Sequence, residues 1–344
     1  MIIDNDMKVL ITGGCGFVGS NIAIFLKSKN RNLVIDSLDN IYRNSSKINL
    51  KRLQKYNIKN YNFDISNKKK IEKLKKYDLV IDCCAEAAVE TSKIDAERVF
   101  YTNLVGTFNI LEKIKKDKSN IIFLSTSRVY SIEEISSRAK KINSKKYNFK
   151  INENFSTETP ISLYGFTKLS SEKMIQEYAY INKIKYIINR FGVISGPWQF
   201  GKQDQGFVSL WLWKFINKSK LNYIGYEGKG NQVRDILHVI DLCELIYEQI
   251  KKIDKINNKI FNVGGGLKNA ISLKKLSKKC ERITKNKIKI GKKKSTSNYD
   301  IPYYVTDNSK IYKFYNWRVK RNLDKIIKDV FKILKQNQRI YKKI

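Results

Sequence analysis

The stretch Thr12-Gly13-Gly14-Cys15-Gly16-Phe17-Val18-Gly19 lies between an apolar run, Lys8–Thr12, and an amphipathic segment, Phe17–Lys29. The run is short and rich in β-branched residues, which is typical of a buried strand, and the segment carries its apolar residues at helical spacing. Glycines at 13, 16 and 19 permit a tight turn and a close approach of helix to strand. The stretch therefore predicts a strand–turn–helix unit whose turn can contact a ligand through its backbone.

The beginning of such a helix offers free backbone N–H groups and the positive end of the helix dipole, which together bind a phosphate. Dinucleotide contacts are expected from the turn and the first helical residues: Gly13, Gly16, Phe17, Val18 and Gly19. A second apolar run, Leu33–Asp36, ends in a carboxylate that can bind the ribose hydroxyls of an adenosine. Asp36 would repel a 2′-phosphate, so the pattern favours NAD over NADP. The alternative for Asp36 is a cap of the following turn.

Further apolar runs alternate with helical or polar segments at Asn60–Asp64, Leu79–Cys84, Ile121–Ser125 and Ile260–Val263. Strands that are apolar on both faces and alternate with helices predict an α/β fold, a Rossmann-type doubly wound parallel sheet. We expect residues 1–190 plus 235–265 to form this dinucleotide-binding domain. A smaller interwoven substrate-binding lobe would comprise residues 191–234 plus 266–344.

The rest of the chain is less regular. The sequence predicts an irregular insertion at Glu133–Asn154 and two glycine-rich loops at Gly196–Gly206 and Gly225–Gln232. It also predicts a helix at Asp241–Lys251 and, from Ile271 onward, two amphipathic helices on either side of a loop around Pro302.

Composition excludes several classes of protein. The five cysteines have no disulfide or metal-knuckle spacing, and His238 is the only histidine, so no metal site is expected. No apolar run reaches the length of a membrane span, and no signal peptide precedes the first strand, which indicates a cytoplasmic protein. The net charge of +36 could indicate nucleic-acid binding. Because the lysines are spread over polar helix positions, compositional bias is the better explanation, and no nucleic-acid or membrane partner is expected.

Tyr164 and Lys168 lie one turn apart in Tyr164-Gly165-Phe166-Thr167-Lys168, which has helical character. A phenol with an ordinary pKa near 10 is a poor base at neutral pH, and a neighbouring ammonium lowers that pKa. Thr126 follows the strand Ile121–Ser125, at the edge of the sheet where doubly wound folds bind their ligands. The three residues form a candidate catalytic set, in which Thr126 shares a substrate hydroxyl with Tyr164.

Other polar residues fall near the same edge. Asn103 can hold a water or a backbone group of a proton relay, and Asp64 and Ile65 are placed to touch the adenine. For Asp64, a role as a turn former is an open alternative. Asn40 and Ala85 complete the expected cofactor contacts.

Five motifs occur in order, Thr12–Gly19, Asn103–Thr107, Ser125–Tyr130, Tyr164–Lys168 and Arg234–Val239. This order resembles the extended short-chain dehydrogenase family of nucleotide-sugar epimerases and dehydratases. The resemblance covers nearly the whole chain and implies bound NAD, a nucleotide-diphosphate-sugar substrate and a homodimer formed through the helices around Asn103 and Tyr164.

Further segments are similar to the CDP-paratose (CDP-tyvelose) 2-epimerase branch of that family, namely Gln199–Phe207, Gly230–His238, Gly264–Gly266 and Asp300–Asp307. The resemblance places substrate contacts on them. Arg234 would bind the diphosphate, and Phe207 or Trp211 would pack on a base or sugar face. Sugar hydroxyls would be bound by Gln199, Asp204 and Gln205. A structural ion pair between Arg234 and Asp235 is the alternative for that arginine.

Two departures qualify the resemblance. Glu86, expected beside the substrate, replaces an uncharged glutamine of this branch and would disfavour a nearby anion. Ser127 and Arg128 stand where 4,6-dehydratases carry an Asp–Glu pair, so elimination of water is not expected. Epimerisation at C2 of a CDP-deoxyhexose is the function that fits best. A 4-epimerase, a dehydrogenase and a dinucleotide-sensing regulator without catalysis remain as alternatives.

Overall fold

The computed structural model describes residues 6–87, 89, 91–141, 149–201 and 205–342. The strands are β1 Lys8–Thr12, β2 Val34–Leu38, β3 Lys59–Tyr61, β4 Leu79–Asp82, β5 Asn120–Thr126, β6 Tyr186–Phe191, β7 Val193–Ser195, β8 Leu221–Ile224, β9 Val233–His238, β10 Lys259–Val263, β11 Ala270–Ser272, β12 Ile290–Lys293 and β13 Tyr303–Tyr304.

The helices are α1 Phe17–Lys29, α2 Asn44–Gln54, α3 Lys68–Glu72, α4 Thr91–Ile94, α5 Ala96–Phe100, α6 Gly106–Asp117, α7 Ile132–Lys141, α8 Ser162–Asn182, α9 Phe207–Ile216, α10 Val239–Lys252, α11 Leu273–Thr284, α12 Ser309–Phe314, α13 Leu323–Gln336 and α14 Gln338–Tyr341. A π-helical turn, Tyr101–Val105, joins α5 to α6. Within the described ranges, no helix is both long enough and apolar enough to span a bilayer.

Seven strands form one parallel sheet in the order β10-β6-β5-β4-β1-β2-β3. The order reverses between β1 and β4, so a crevice opens beyond the carboxyl ends of these two strands. Two apolar cores lie on its opposite faces, one around Ile22 and Leu242 and the other around Ile110 and Ile114. The predicted α/β fold with a Rossmann-type parallel sheet is confirmed.

The second half of the chain adds a smaller sheet that begins at the edge of the crevice. Strand β9 pairs with β7, β11 and β13, and a separate two-stranded ladder joins β8 to β12. Helices α9, α11 and α13 pack into a third core beside these strands. The predicted boundary between residues 234 and 235 falls inside β9, which belongs entirely to the smaller sheet.

The prediction of an irregular segment at Glu133–Asn154 was wrong for its first part, which forms α7. Ile132, Ile135 and Ala139 are buried on one face of this helix, and Glu134 pairs with Arg138 one turn later. Apolar residues at helical spacing outweigh the polar composition, because burial of one face is sufficient to fix a helix. Residues 142–148 lie outside the described part of the chain.

Candidate active site

The glycine turn lies at the carboxyl end of β1 and leads into α1. Gly13 has a φ of +60°, and a Cβ there would lie 2.9 Å from the Cα of Cys84. A Cβ on Gly19 would lie 2.4 Å from the carbonyl oxygen of Gly13. Gly16 precedes α1 and gives it no side-chain cap, so the first N–H groups of the helix have no side-chain acceptor at this position. The turn therefore has the form of a pyrophosphate cradle.

Asp36 does not end its strand, because β2 continues to Leu38. Its carboxylate accepts a hydrogen bond from the hydroxyl of Tyr77 at 2.7 Å and pairs with Lys75 at 2.7 Å. Side chains alternate along a strand, and Ser37, not Asp36, faces Gly14 of the turn. The structure thus corrects the position of Asp36, whose carboxylate belongs to a buried structural contact.

Asp39 is the carboxylate that stands at the end of β2 beside the glycine turn. It accepts hydrogen bonds from the backbone N–H of Cys15 at 3.1 Å and of Ile41 at 2.8 Å. Burial raises the pKa of Asp39, while those two donors and the charge of Arg43 act in the opposite direction. The sequence interpretation missed this residue because it ended the strand two residues too early.

The expected adenine contacts form a local turn. Asp64 accepts hydrogen bonds from the backbone N–H and hydroxyl of Ser66, at 2.9 and 2.7 Å, and from the amide of Asn40 at 2.7 Å. These donors lower the pKa of Asp64. Ile65 is buried against Gly106. Both interpretations of Asp64 are compatible with this position, since the turn lies beyond the end of β3.

Thr126 is the last residue of β5, and Tyr164 and Lys168 lie one turn apart near the beginning of α8, which packs on β5. Tyr164 lines the crevice, and its side chain forms a hydrogen bond with that of Thr126. Burial raises the pKa of Tyr164, whereas that hydrogen bond and the charge of Arg128 lower it. The ammonium of Lys168 is buried 3.7 Å from the ring centroid of Phe123, and burial lowers its pKa. The phenol of Tyr164 and the hydroxyl of Thr126 thus form one buried pair, and Lys168 is buried one turn further along α8.

Asn103 connects this location to the segment that follows β4. Its side-chain oxygen accepts a hydrogen bond from the N–H of Glu86 at 2.8 Å, and its amide donates to the carbonyl of Glu86 at 3.2 Å and to Thr167 at 3.1 Å. Asn103 therefore fixes the backbone of residue 86 against α8, and its predicted part in a proton relay stays a prediction.

Glu86 is held by two arginines. One carboxylate oxygen accepts a hydrogen bond from Arg43, and the other pairs with Arg98 at 2.7 Å. Its neighbours Ala85 and Ala87, but not Glu86, are among the described residues that line the crevice. The structure therefore corrects the expectation that Glu86 contacts the substrate. Two guanidinium groups leave this cluster net positive, so it does not disfavour an anion.

Arg43 also reaches the second lobe, where it donates a hydrogen bond to Gln205 at 3.0 Å. Gln205 and Phe207 line the crevice at the start of α9. The amide of Gln199 is used internally, since it donates to the carbonyl of Ile194 at 2.9 Å and accepts from Ser195 at 2.8 Å. Asp204, the remaining predicted contact in this segment, lies outside the described residues.

Arg234 faces the same crevice from β9. It donates to Asp300 at 2.9 Å and to the carbonyl of Ile301 at 2.7 Å. The alternative of an ion pair with Asp235 was wrong in its partner, because Asp235 is buried and accepts from the N–H groups of Gly266 and Thr306. Sequence reasoning did not identify Arg43 or Arg98 as part of the site, since the contacts of both with Glu86 join separate segments of the chain.

A cleft of about 840 Å³ is lined by the glycine turn, Thr126, Tyr164, Arg43, Gln205, Phe207 and Arg234. It runs from the glycine turn past Thr126 and Tyr164 to Phe207 and Arg234. A dinucleotide fits this arrangement, because the cradle lies at one end and the phenol at the middle. No group of three histidine, cysteine or acidic side chains among the described residues could hold a metal ion.

Comparison with known proteins agrees with this geometry. A sequence model described as the NAD dependent epimerase/dehydratase family matches residues 9–264. CDP-paratose 2-epimerase from Salmonella typhi is 32% identical over 80% of this chain and 84% of its own. UDP-glucuronate 4-epimerase from Thermodesulfobacterium geofontis is 26% identical over 97% of this chain and 98% of its own.

A solved UDP-glucose 4-epimerase from Thermotoga maritima has the same fold, with a TM-score of 0.81, 24% identity, and coverage of 96% of this chain and 100% of that one. The match of the family model, the sheet order and the assembled cleft lead to one conclusion. This chain belongs to the NAD dependent epimerase/dehydratase family of enzymes, and its cofactor is NAD.

Proposed function

We propose that the protein is an NAD-dependent epimerase that inverts C2 of a CDP-activated deoxyhexose, as in the conversion of CDP-paratose to CDP-tyvelose. The observation that carries the proposal is the pair Ser127 and Arg128 beside Thr126 and Tyr164 in the cleft, with Lys168 one turn further along α8. No carboxylic acid stands at those two positions to remove water from the sugar, whereas the base and its partners are complete. Similarity to the Salmonella typhi 2-epimerase supports the choice of substrate.

Inversion at C2 of such a sugar requires an oxidation, because no carbonyl group adjoins C2 to stabilise a carbanion. NAD supplies the oxidation and the reduction that reverses it. Tyr164 would accept the proton of the C2 hydroxyl and later return it, while Thr126 orients that hydroxyl. Lys168, one turn along α8, would favour the phenolate and hold the nicotinamide ribose. The sugar presents its other face before it is reduced again, which gives the epimer.

The cofactor would be held by the glycine turn and by Asp39 in place of Asp36. Asp39 lies beside Cys15, and its carboxylate is the one at the end of β2 that can reach ribose hydroxyls. Asn103 and Ala85 would support the nicotinamide end. Because Asp39 carries a negative charge, a 2′-phosphate would be repelled, which favours NAD over NADP.

The substrate would extend from Tyr164 into the second lobe. Arg234 is proposed for the diphosphate, and Gln205 and Phe207 for the sugar or base. Gln199 would act indirectly, since its amide already supports the backbone of residue 194.

A homodimer is proposed from the helices that flank the site. Apolar side chains are exposed on α5, the π-helical turn, α6 and α8, which pack against one another: Phe100, Tyr101, Phe108, Phe166, Tyr180 and Ile181. Tyr180 and Ile181 are 85% and 71% exposed, at the end of α8. An apolar face of this extent is typical of an interface between subunits. Sedimentation analysis tests it, and a monomer at micromolar concentration would reject it.

Replacement of Tyr164 by phenylalanine tests the proposed function. The variant should retain NAD and the wild-type Tm, because only one hydroxyl is removed from the cleft. Turnover of CDP-paratose should fall by about 10³-fold or more, since the proton transfer loses its acceptor. Tyr247→Phe, which removes one hydroxyl on α10 outside the cleft, serves as the matched control. A Tyr164→Phe enzyme with wild-type turnover would remove Tyr164 from its assigned role.

A further inference from the structure

Arg128 occupies a short 3₁₀ turn, Ser127–Val129, between β5 and the surface of α8. Its N–H donates a hydrogen bond to the hydroxyl of Thr126 at 3.2 Å. Its carbonyl packs so closely on α8 that a Cβ on Gly165 would lie 2.2 Å from the oxygen. The backbone of Arg128 is therefore fixed to both Thr126 and the residue that follows Tyr164.

The side chain of Arg128 lines the cleft and donates to the carbonyl of Tyr299 at 2.9 Å. Arg234 lies nearby, with its guanidinium on Asp300 at 2.9 Å. Burial and the charge of Arg234 lower the pKa of Arg128 to about 10, and Asp300 opposes this effect. Asp300 pairs with Arg234, whereas the hydrogen bond of the Arg128 side chain goes to a neutral carbonyl, so this group of two guanidinium ions and one carboxylate has a net positive charge in the cleft that Tyr164 also lines.

Such a charge beside the base has a specific use in nucleotide-sugar chemistry. The diphosphate is attached to the anomeric carbon, C1. The C2 hydroxyl stands on the adjacent carbon, so a base that serves C2 has the sugar-proximal phosphate next to it. The C4 hydroxyl stands across the ring, so a base that serves C4 is separated from the phosphate by the sugar.

We propose that Arg128 binds the sugar-proximal phosphate and thereby places C2, and not C4, against Tyr164 and Thr126. The inference rests on the proposed function and deepens it, since it identifies a residue that determines which carbon reacts. Arg234 would bind the diphosphate from the opposite side. A guanidinium suits this position because its planar N–H groups can bind a phosphate and the Tyr299 carbonyl together.

Binding of nucleotides without a sugar tests the contact directly. Titration calorimetry would compare CDP with CMP, and UDP with UMP, because only the diphosphates carry the sugar-proximal phosphate. The variants are then measured with the nucleotide pair, cytidine or uridine, whose diphosphate the wild-type protein binds more tightly. Arg128→Gln should weaken diphosphate binding by about 10- to 100-fold, as expected for a lost charged hydrogen bond, and leave monophosphate binding nearly unchanged. Arg282→Gln, which replaces an exposed arginine on α11, is the matched control.

Equal losses for both nucleotides, or no loss for either, would overturn the proposal. A wild-type protein that binds UDP and leaves CDP-paratose unchanged would reject the proposed function, while the phosphate comparison would still decide the role of Arg128. Arg128→Lys guards against misfolding, since it keeps the charge and should retain the wild-type Tm and recover part of the diphosphate affinity.

The pH dependence of turnover gives an independent readout. Because the phenolate is the active form of Tyr164, kcat/KM should rise with pH. Loss of the charge at residue 128 should move this rise to higher pH, and Arg128→Lys should return it toward the wild-type position. A purely structural role for Arg128 would lower Tm and turnover without moving the profile, and that result would overturn the inference.

Discussion

Replacement of Glu86 by glutamine tests whether this carboxylate serves the fold or the substrate. Each of its oxygens contacts one arginine, Arg43 or Arg98, and its side chain is only 7% exposed. Glutamine retains one acceptor and turns an amide N–H₂ toward the other guanidinium, so one charged hydrogen bond is lost. Such a bond contributes about 1.5–3 kcal/mol. Because the side chains of the two arginines are about 30% exposed, water replaces part of the lost hydrogen bond. We therefore expect the free energy of unfolding to fall by about 2 kcal/mol.

For a chain of this length, that loss corresponds to a fall in Tm of about 3 °C, measurable by differential scanning calorimetry. Arg98→Gln should lower Tm by a similar amount, and the double variant should lose less than the sum of the two, because both remove the same contact. The KM for the nucleotide sugar should change by less than about threefold. An unchanged Tm together with a large rise in KM would refute the reasoning and return Glu86 to the substrate.

Four further variants test other parts of the structure. Asp39→Asn should lower the NAD content of the purified protein, whereas Asp36→Asn should lower Tm and leave NAD bound; the reverse result would restore Asp36 to the cofactor site. Gly19→Ala should also lose NAD, because its Cβ would lie 2.4 Å from the carbonyl of Gly13, and full NAD occupancy would contradict the cradle. Burial lowers the pKa of His238 from 6.5 to about 4. As the pH falls from 6.5 to 4, His238 is therefore protonated in the unfolded chain before it is protonated in the folded protein. The free energy of unfolding decreases over this pH range, by at most about 3 kcal/mol. Asparagine at position 238 keeps an acceptor for the N–H of Ile240 but does not titrate. The urea midpoint of His238→Asn should therefore fall less between pH 7 and 4.5 than that of the wild-type protein. An equal fall would assign the acid sensitivity to other groups.

The parts of the site that local sequence predicts are those built from one strand–turn–helix unit or from one helix. The glycine turn follows from the backbone needs of Gly13 and Gly19, and the position of Tyr164 and Lys168 one turn apart on α8 follows from helical spacing. The parallel sheet could also be predicted, because buried parallel strands such as β4 and β5 are continuous apolar runs in the sequence.

The parts that sequence reasoning missed depend on contacts between distant segments. Asp36 and Asp39 are both carboxylates near the end of β2, and only the partners Tyr77 and Lys75 show which is structural. Glu86 was assigned to the substrate from the resemblance, whereas its contacts with Arg43 and Arg98 depend on how separate segments pack in the fold. Helix α7 was missed because its polar composition concealed the spacing of Ile132, Ile135 and Ala139.

The central claim, epimerisation at C2 with NAD retained by the protein, is tested by proton NMR of the purified enzyme mixed with CDP-paratose. UDP-glucose and CDP-glucose serve as controls for a 4-epimerase. We predict that the signals of the C2 position convert to those of the manno configuration without added NAD. Unchanged CDP-paratose with NAD present and the fold intact, or conversion of UDP-glucose at C4, would contradict the account.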